Sequence, residues 1–146
     1  MGLLYGALDI GRCGAGLIIH FSKEKVVKAS IGLGQGSNNF AELKALHLLL
    51  CWLILRNVRE DQIFGDSMNV VKWFNGAQHC SNLTLFREFS CLRSRFMEIS
   101  LSHIFRERNF DADRLSKAGV ELEMGSWSVS EVENGVVRSV EQPIFV

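Results

Sequence analysis

The chain has 146 residues, 47% apolar and 22% charged, an ordinary soluble globular composition sized for one domain with a core of its own. Sixteen basic and sixteen acidic side chains cancel, which excludes a general basic footprint for nucleic acid and confines any such patch to a local surface. The longest apolar run, around Leu46 to Leu55, contains His47 and is too short to span a bilayer, so no membrane partner is expected. The four cysteines, Cys13, Cys51, Cys80 and Cys91, form no C-x-x-C pair and have no histidine at metal-finger spacing. They read as free thiols in a reducing intracellular compartment, whether nucleus, cytosol or an organelle. No basic leader or cleavage pattern marks a signal peptide.

In chain order, Leu3 to Asp9 reads as a first strand and the glycine-rich Gly11 to Gly16 as a turn. Gly16 to Phe21 and Val26 to Gly32 follow as strands at hairpin spacing, an antiparallel meander. A glycine- and asparagine-rich loop leads to a long helix over 40–57, with Asn38 and Asn39 placed to cap it. Its apolar residues Phe40, Leu43, Leu46, Leu50, Leu53 and Ile54 keep the helical period. Gln62 to Asp66 is a short strand ending on an acid, and a helix over 69–75 ends at Asn75-Gly76. Residues 77–83 are a polar loop, Thr84 to Ile99 a third helix, Ser100 to Arg106 a fifth strand and Asn109 to Gly119 a last helix. The order β-β-β-α-β-α-α-β-α predicts an α/β fold, a mixed five-stranded sheet with helices packed on it, over residues 1–119. Residues 120–146 form a tail, with Asn134-Gly135 marking a small hairpin, or else a flexible end.

Three acids fall where a strand or loop meets a helix start: Glu42, Asp66 and Asp113. Such junctions gather functional groups in α/β folds. Each acid alone also suits a plainer role, Glu42 as a partner of the helix dipole and Asp66 as a cap. Converging in one cleft, they would repel one another unless a cation sat among them, and hard oxygen ligands suit Mg²⁺ or Mn²⁺. Two such ions can clamp the attacking and leaving oxygens of a phosphodiester.

The stretches GQGSNNFAELKAL, FGDSMNVVKWFNG and HIFRERNFDADRLSKAG, in this order and spacing, resemble the ribonuclease H domain over about residues 3–119. The likeness is to the type found in plant genomes and in the tail of plant LINE-like retroelements. It implies the ribonuclease H-like fold and the endonucleolytic cleavage of RNA in RNA–DNA hybrids. Four acids hold two Mg²⁺ ions (or Mn²⁺) in that family, and Glu42, Asp66 and Asp113 match three of them. His103 matches the histidine thought to help a proton or product leave. Read alone, a histidine on an apolar strand is more often a packed core residue. The resemblance gives Asn38 and Asn39 contact with the minor groove of the hybrid, where the ribose 2′-hydroxyl can be recognised. Ser67 caps the second helix or meets a phosphate. Asn109 belongs to the same motif as Asp113 and is taken as substrate-binding. Arg106 and Arg108 approach phosphates or are plain surface, and Trp73 is core.

The departure is at the first acid. Where the family carries D-G-A or D-G-S on strand one, this chain has Tyr5-Gly6-Ala7. A phenol with a pKa of about 10 is a poor Mg²⁺ ligand, and its ring would fill the space of an ion. Asp9 lies on the same side of the strand but about 13 Å away at roughly 3.3 Å per residue, and could stand in only after a four-residue slip. The segment 77–83 carries His79 but no Lys or Arg, where some relatives have a basic protrusion. Two functions stay open: a divergent metal-dependent ribonuclease H, impaired at Tyr5, or an inactive relative or retroelement remnant kept to bind nucleic acid or a protein partner.

Overall fold

The computed structural model describes residues 2–9, 11–76 and 83–139, with the backbone alone for 2–9, 83–86 and 139. Residues 77–82 of the expected polar loop, with His79 and Cys80, and residues 140–146 of the tail lie outside the described residues. The elements are β1 (Gly2–Asp9), β2 (Arg12–His20), β3 (Lys25–Gln35), α1 (Asn38–Leu55), β4 (Glu60–Gly65), α2 (Met68–Phe74), α3 (Leu83–Arg93), β5 (Glu98–His103), a 3-10 turn (Arg106–Arg108), α4 (Phe110–Val120), β6 (Trp127–Glu133) and β7 (Val136–Ser139).

The expected meander is present, and β1, β4 and β5 run parallel beside it. The described strands form one seven-stranded sheet, ordered β5-β4-β1-β2-β3-β6-β7. The last two strands come from the expected tail. Asn134 (φ 53°) and Gly135 (φ 78°) make the two-residue hairpin turn, and β6 pairs antiparallel with β3 from Lys25↔Glu133 to Ile31↔Trp127.

Alternation along β2 divides the sheet into two faces. Cys13, Ala15, Leu17 and Ile19 face the main core with α1, while Ile18 packs with Ala112 and Val120 of α4. The expected turn over 11–16 is therefore mostly strand, and its glycines have another purpose. A Cβ on Gly16 would overlap the backbone of Ala112 and Ser116, and one on Gly14 the backbone of Ser116, Gly119 and Val120. These two positions on one face of β2 let α4 lie directly on the sheet.

Helix α1 is apolar nearly all round rather than striped. Leu46, Leu48, Leu49, Leu50 and Leu53 are all buried, because the sheet covers one side and α2 and α3 meet the other. Its cap is Ser37, whose hydroxyl accepts the Phe40 N–H at 3.1 Å, so Asn38 and Asn39 fall in the first turn instead. The third helix ends at Arg93, earlier than the periodicity suggests. Met97 N–H turns to the Arg59 carbonyl at 2.8 Å, and strand pairing begins at Glu60↔Glu98, which draws 98–103 into the sheet. Residues 104–106, expected as strand, leave the sheet for the 3-10 turn. Trp73 is buried and meets the Phe89 ring edge-on at 4.8 Å, as expected of core. Cys13, Cys51 and Cys91 are free thiols. Among the described residues no helix is long and apolar enough to cross a membrane.

Candidate functional site

The parallel strands β4 and β5 end together, level with the middle of β1. Leu4 pairs with Gly65, and Gly65 with His103. The residues that come next, Tyr5 in the middle of β1 and Asp66 after β4, therefore stand level with each other where β4 and β5 end. Tyr5 itself pairs with Gly16, the seat of α4. Asp9 pairs with Arg12 at the far end of the β1–β2 hairpin. The backbone thus keeps the unslipped register, and the position nearest Asp66 belongs to Tyr5.

Glu42 arrives from the second turn of α1. The Ser67 hydroxyl bonds its carboxylate and also accepts the Val70 N–H at 3.4 Å as the cap of α2. Ser67 thereby ties the start of α2 to Glu42, a cap with a second task. Burial raises the Glu42 carboxyl above its ordinary pKa; the Ser67 bond opposes this, the Asp66 charge adds to it, and Arg106 opposes it. Burial likewise raises Asp66, against the charge and hydrogen bond of Arg106, with Asp113 adding a further upward push. The three acids therefore share one electrostatic neighbourhood.

Asp113 sits in the first turn of α4, 7% exposed. Two cations of the chain itself meet this cluster. Arg106 Nε lies 3.4 Å from Asp66 Oδ2, and Lys117 Nζ lies 2.9 Å from Asp113 Oδ2, one helical turn along α4. Neither role was foreseen from sequence. Lys117 had a signal, since i,i+4 residues on a helix are neighbours; Arg106 had none, because only the fold brings it to Asp66.

The other predicted residues separate. Asn38 and Asn39 are exposed in the first turn of α1, next to the turn that presents Glu42. Asn109 is 1% exposed, at the junction of the 3-10 turn and α4, and its carbonyl accepts the Asp113 N–H at 3.0 Å. His103 is half-buried, and its ring meets the Phe105 ring edge-on at 5.4 Å.

A family model described as reverse transcriptase-like matches residues 6–119. The chain belongs to the reverse transcriptase-like family. The match begins at Gly6 within β1 and runs into the last turn of α4, so it contains Glu42, Asp66 and Asp113 and starts one residue after Tyr5. Solved structures share the architecture of this reverse transcriptase-like domain. RNase H1 from the halophilic archaeon Halobacterium salinarum is 24% identical with a TM-score of 0.74, covering 82% of this chain and 96% of that one. The N-terminal RNase H domain of a Mycobacterium tuberculosis protein is 22% identical, TM-score 0.72, covering 82% and 93%. LC11-RNase H1, solved in complex with an RNA/DNA hybrid, is 24% identical, TM-score 0.71, covering 82% and 95%. At these identities the likeness shows the ribonuclease H-like fold. A search of curated proteins finds no significant match.

Proposed function

We propose that this domain binds RNA–DNA hybrids across the face formed by the α1 N-terminus, the middle of β1 and the ends of β4 and β5, and that its cleavage of the RNA strand is impaired. One observation supports the reading: Leu4 pairs with Gly65, so Tyr5, at the position where the ribonuclease H resemblance implies the first metal-holding acid, follows Leu4 as Asp66 follows β4. The exposed Asn38 and Asn39, one turn from Glu42, suit the minor groove of a hybrid. The motif spacing supports the narrower membership, the plant and LINE-retroelement type.

The donor set of Glu42, Asp66 and Asp113 is of the hard-oxygen kind that Mg²⁺ or Mn²⁺ takes. The arrangement does not fit a two-ion centre. Among the described residues no group of three His, Cys, Asp or Glu is placed to hold an ion. Asp66 and Asp113 already meet Arg106 and Lys117, and the residue supplied by β1 is a neutral phenol. The pairing of Gly65 with His103, which sets Asp66 near that histidine, favours a second reading, a divergent ribonuclease H that still cleaves weakly.

The test is a labelled hybrid, followed by anisotropy for binding and by gel for cleavage in Mg²⁺ and in Mn²⁺. The wild type is expected to bind hybrid more tightly than DNA duplex. Tyr5→Asp is expected to cleave at least about a hundredfold faster than wild type, since metal stabilisation of the transition state amounts to several kcal/mol. Wild-type cleavage equal to that of Tyr5→Asp overturns the impairment. Absence of hybrid binding overturns the whole reading and leaves the protein-binding remnant.

A further inference from the structure

Most large apolar side chains of this domain are covered, but Phe105 is 69% and Phe110 60% exposed. They bracket the 3-10 turn Arg106–Arg108, whose two arginines are both exposed. A 3-10 turn rises only about 2 Å per residue, so the rings stand at either end of a single turn. Each ring already has a polar companion. The Arg114 guanidinium lies 5.8 Å from the Phe110 ring centroid, and the His103 ring abuts Phe105 edge-on. The same turn delivers Arg106 to Asp66, so this surface is continuous with the carboxylate cluster.

We infer that Phe105, Arg106, Arg108, Phe110 and Arg114 form a stacking platform for unpaired bases of a nucleic-acid strand lying beside the carboxylate site. Exposed rings interleaved with guanidinium groups are the chemistry on which single-stranded bases stack. A paired hybrid keeps its base faces inside the helix, so the platform takes strand that lies outside the paired region. The charge around it is mixed. Glu107 and Asp111 are exposed in the same segment, and Asp66 engages Arg106. With the whole chain at zero net charge, attraction rests on stacking more than on counterion release, and the salt dependence of binding is shallow. The position of the platform beside the site rests on the hybrid-binding reading; its affinity for single strands does not.

The experiment measures binding of a labelled short oligo(A) strand and, in parallel, of a blunt hybrid, by anisotropy at two salt concentrations. Phe105→Ala and Phe110→Ala are each expected to weaken oligo(A) binding about tenfold, in line with the loss of one stacked base. Phe105→Trp is expected to hold or improve it, and blunt-hybrid binding is expected to change little in all three variants. Arg108→Gln is expected to lower the salt slope by about 1. The platform is overturned if wild type does not bind oligo(A), or if both alanine variants bind it as wild type does, whatever the blunt hybrid shows. A wild type that self-associates in sedimentation, with Phe105→Ala abolishing this and leaving oligo(A) binding intact, assigns the surface to a second copy and also overturns it. Loss of blunt-hybrid binding with oligo(A) binding retained counts against the hybrid reading alone.

Discussion

Arg106 Nε meets Asp66 Oδ2 at 3.4 Å across forty residues of sequence. The pair is lopsided: the Asp66 side chain is 5% exposed and that of Arg106 70%. A buried carboxylate is thus neutralised from the rim of its cleft by a side chain that water reaches freely. Arg106→Gln is expected to cost less than about 1 kcal/mol of stability, as for exposed ion pairs in general. It removes the charge that holds Asp66 down, so the Asp66 carboxyl rises further. Thermal unfolding with and without Mg²⁺ checks the electrostatic role. The wild-type Tm is expected to be flat with Mg²⁺ and that of Arg106→Gln to climb; a wild-type Tm that climbs equally removes Arg106 as counter-ion.

Glu42 and Asp66 set a pH dependence whose sign is fixed by their upward shifts. An acid raised in the folded state binds protons there more readily than in the unfolded chain, so its contribution is most favourable below the ordinary pKa, 4.5 for Glu42 and 3.8 for Asp66, and is lost as pH rises through the folded value. Glu42→Gln removes one such charge and keeps a partner for Ser67. Its Tm is expected to exceed that of wild type by a few degrees at neutral pH, with the difference closing toward pH 4. A difference that widens on acidification would mean Glu42 is held below, not above, its ordinary range.

Gly16→Ala tests the contact that seats α4. The added methyl meets the backbone of Ala112 and Ser116, not a flexible side-chain tip. Overpacking of this kind is expected to cost about 3 kcal/mol or more, read in urea unfolding. Hybrid binding is expected to fall as well, because Asp113 and Lys117 ride on that helix.

Ser67→Ala removes the cap of α2 and the hydroxyl that bonds Glu42. A loss of about 1 kcal/mol is expected from the cap. Because Ser67 lowers the Glu42 carboxyl, the variant should also shift the pH profile of stability upward, a change that a cap alone would not make.

Much of this architecture could be read from the chain. The meander, the long helix, the acids at strand–helix junctions and the Asn-Gly hairpin each have a local cause, whether period, cap chemistry or turn propensity. The misreadings share a different cause. Gly14 and Gly16 look like turn residues because glycine permits turns, yet they are glycine so that a helix more than ninety residues later can touch the strand. The third helix reads as running from Thr84 to Ile99 because its apolar spacing continues through Phe96, whereas pairing with Glu60 decides where the strand starts. Of the site, Glu42, Asp66 and Asp113 were visible, and the Tyr5 register followed from spacing. The Arg106 contact was not, since no sequence period links a 3-10 turn to a strand forty residues earlier.

The hairpin over 127–139 lies past the end of the family match at residue 119, yet it is stitched to the domain along most of β3. Trp127 packs on Trp52 at 5.4 Å, and Glu131 bridges Lys25 and Arg56. Cut back to the family's span, the domain would keep its carboxylates and lose its border: the main-chain donors and acceptors of Lys25–Ile31 would lie open to strands of neighbouring molecules. With the hairpin in place, the sheet on that side ends on the four-residue β7 instead of the eleven-residue β3.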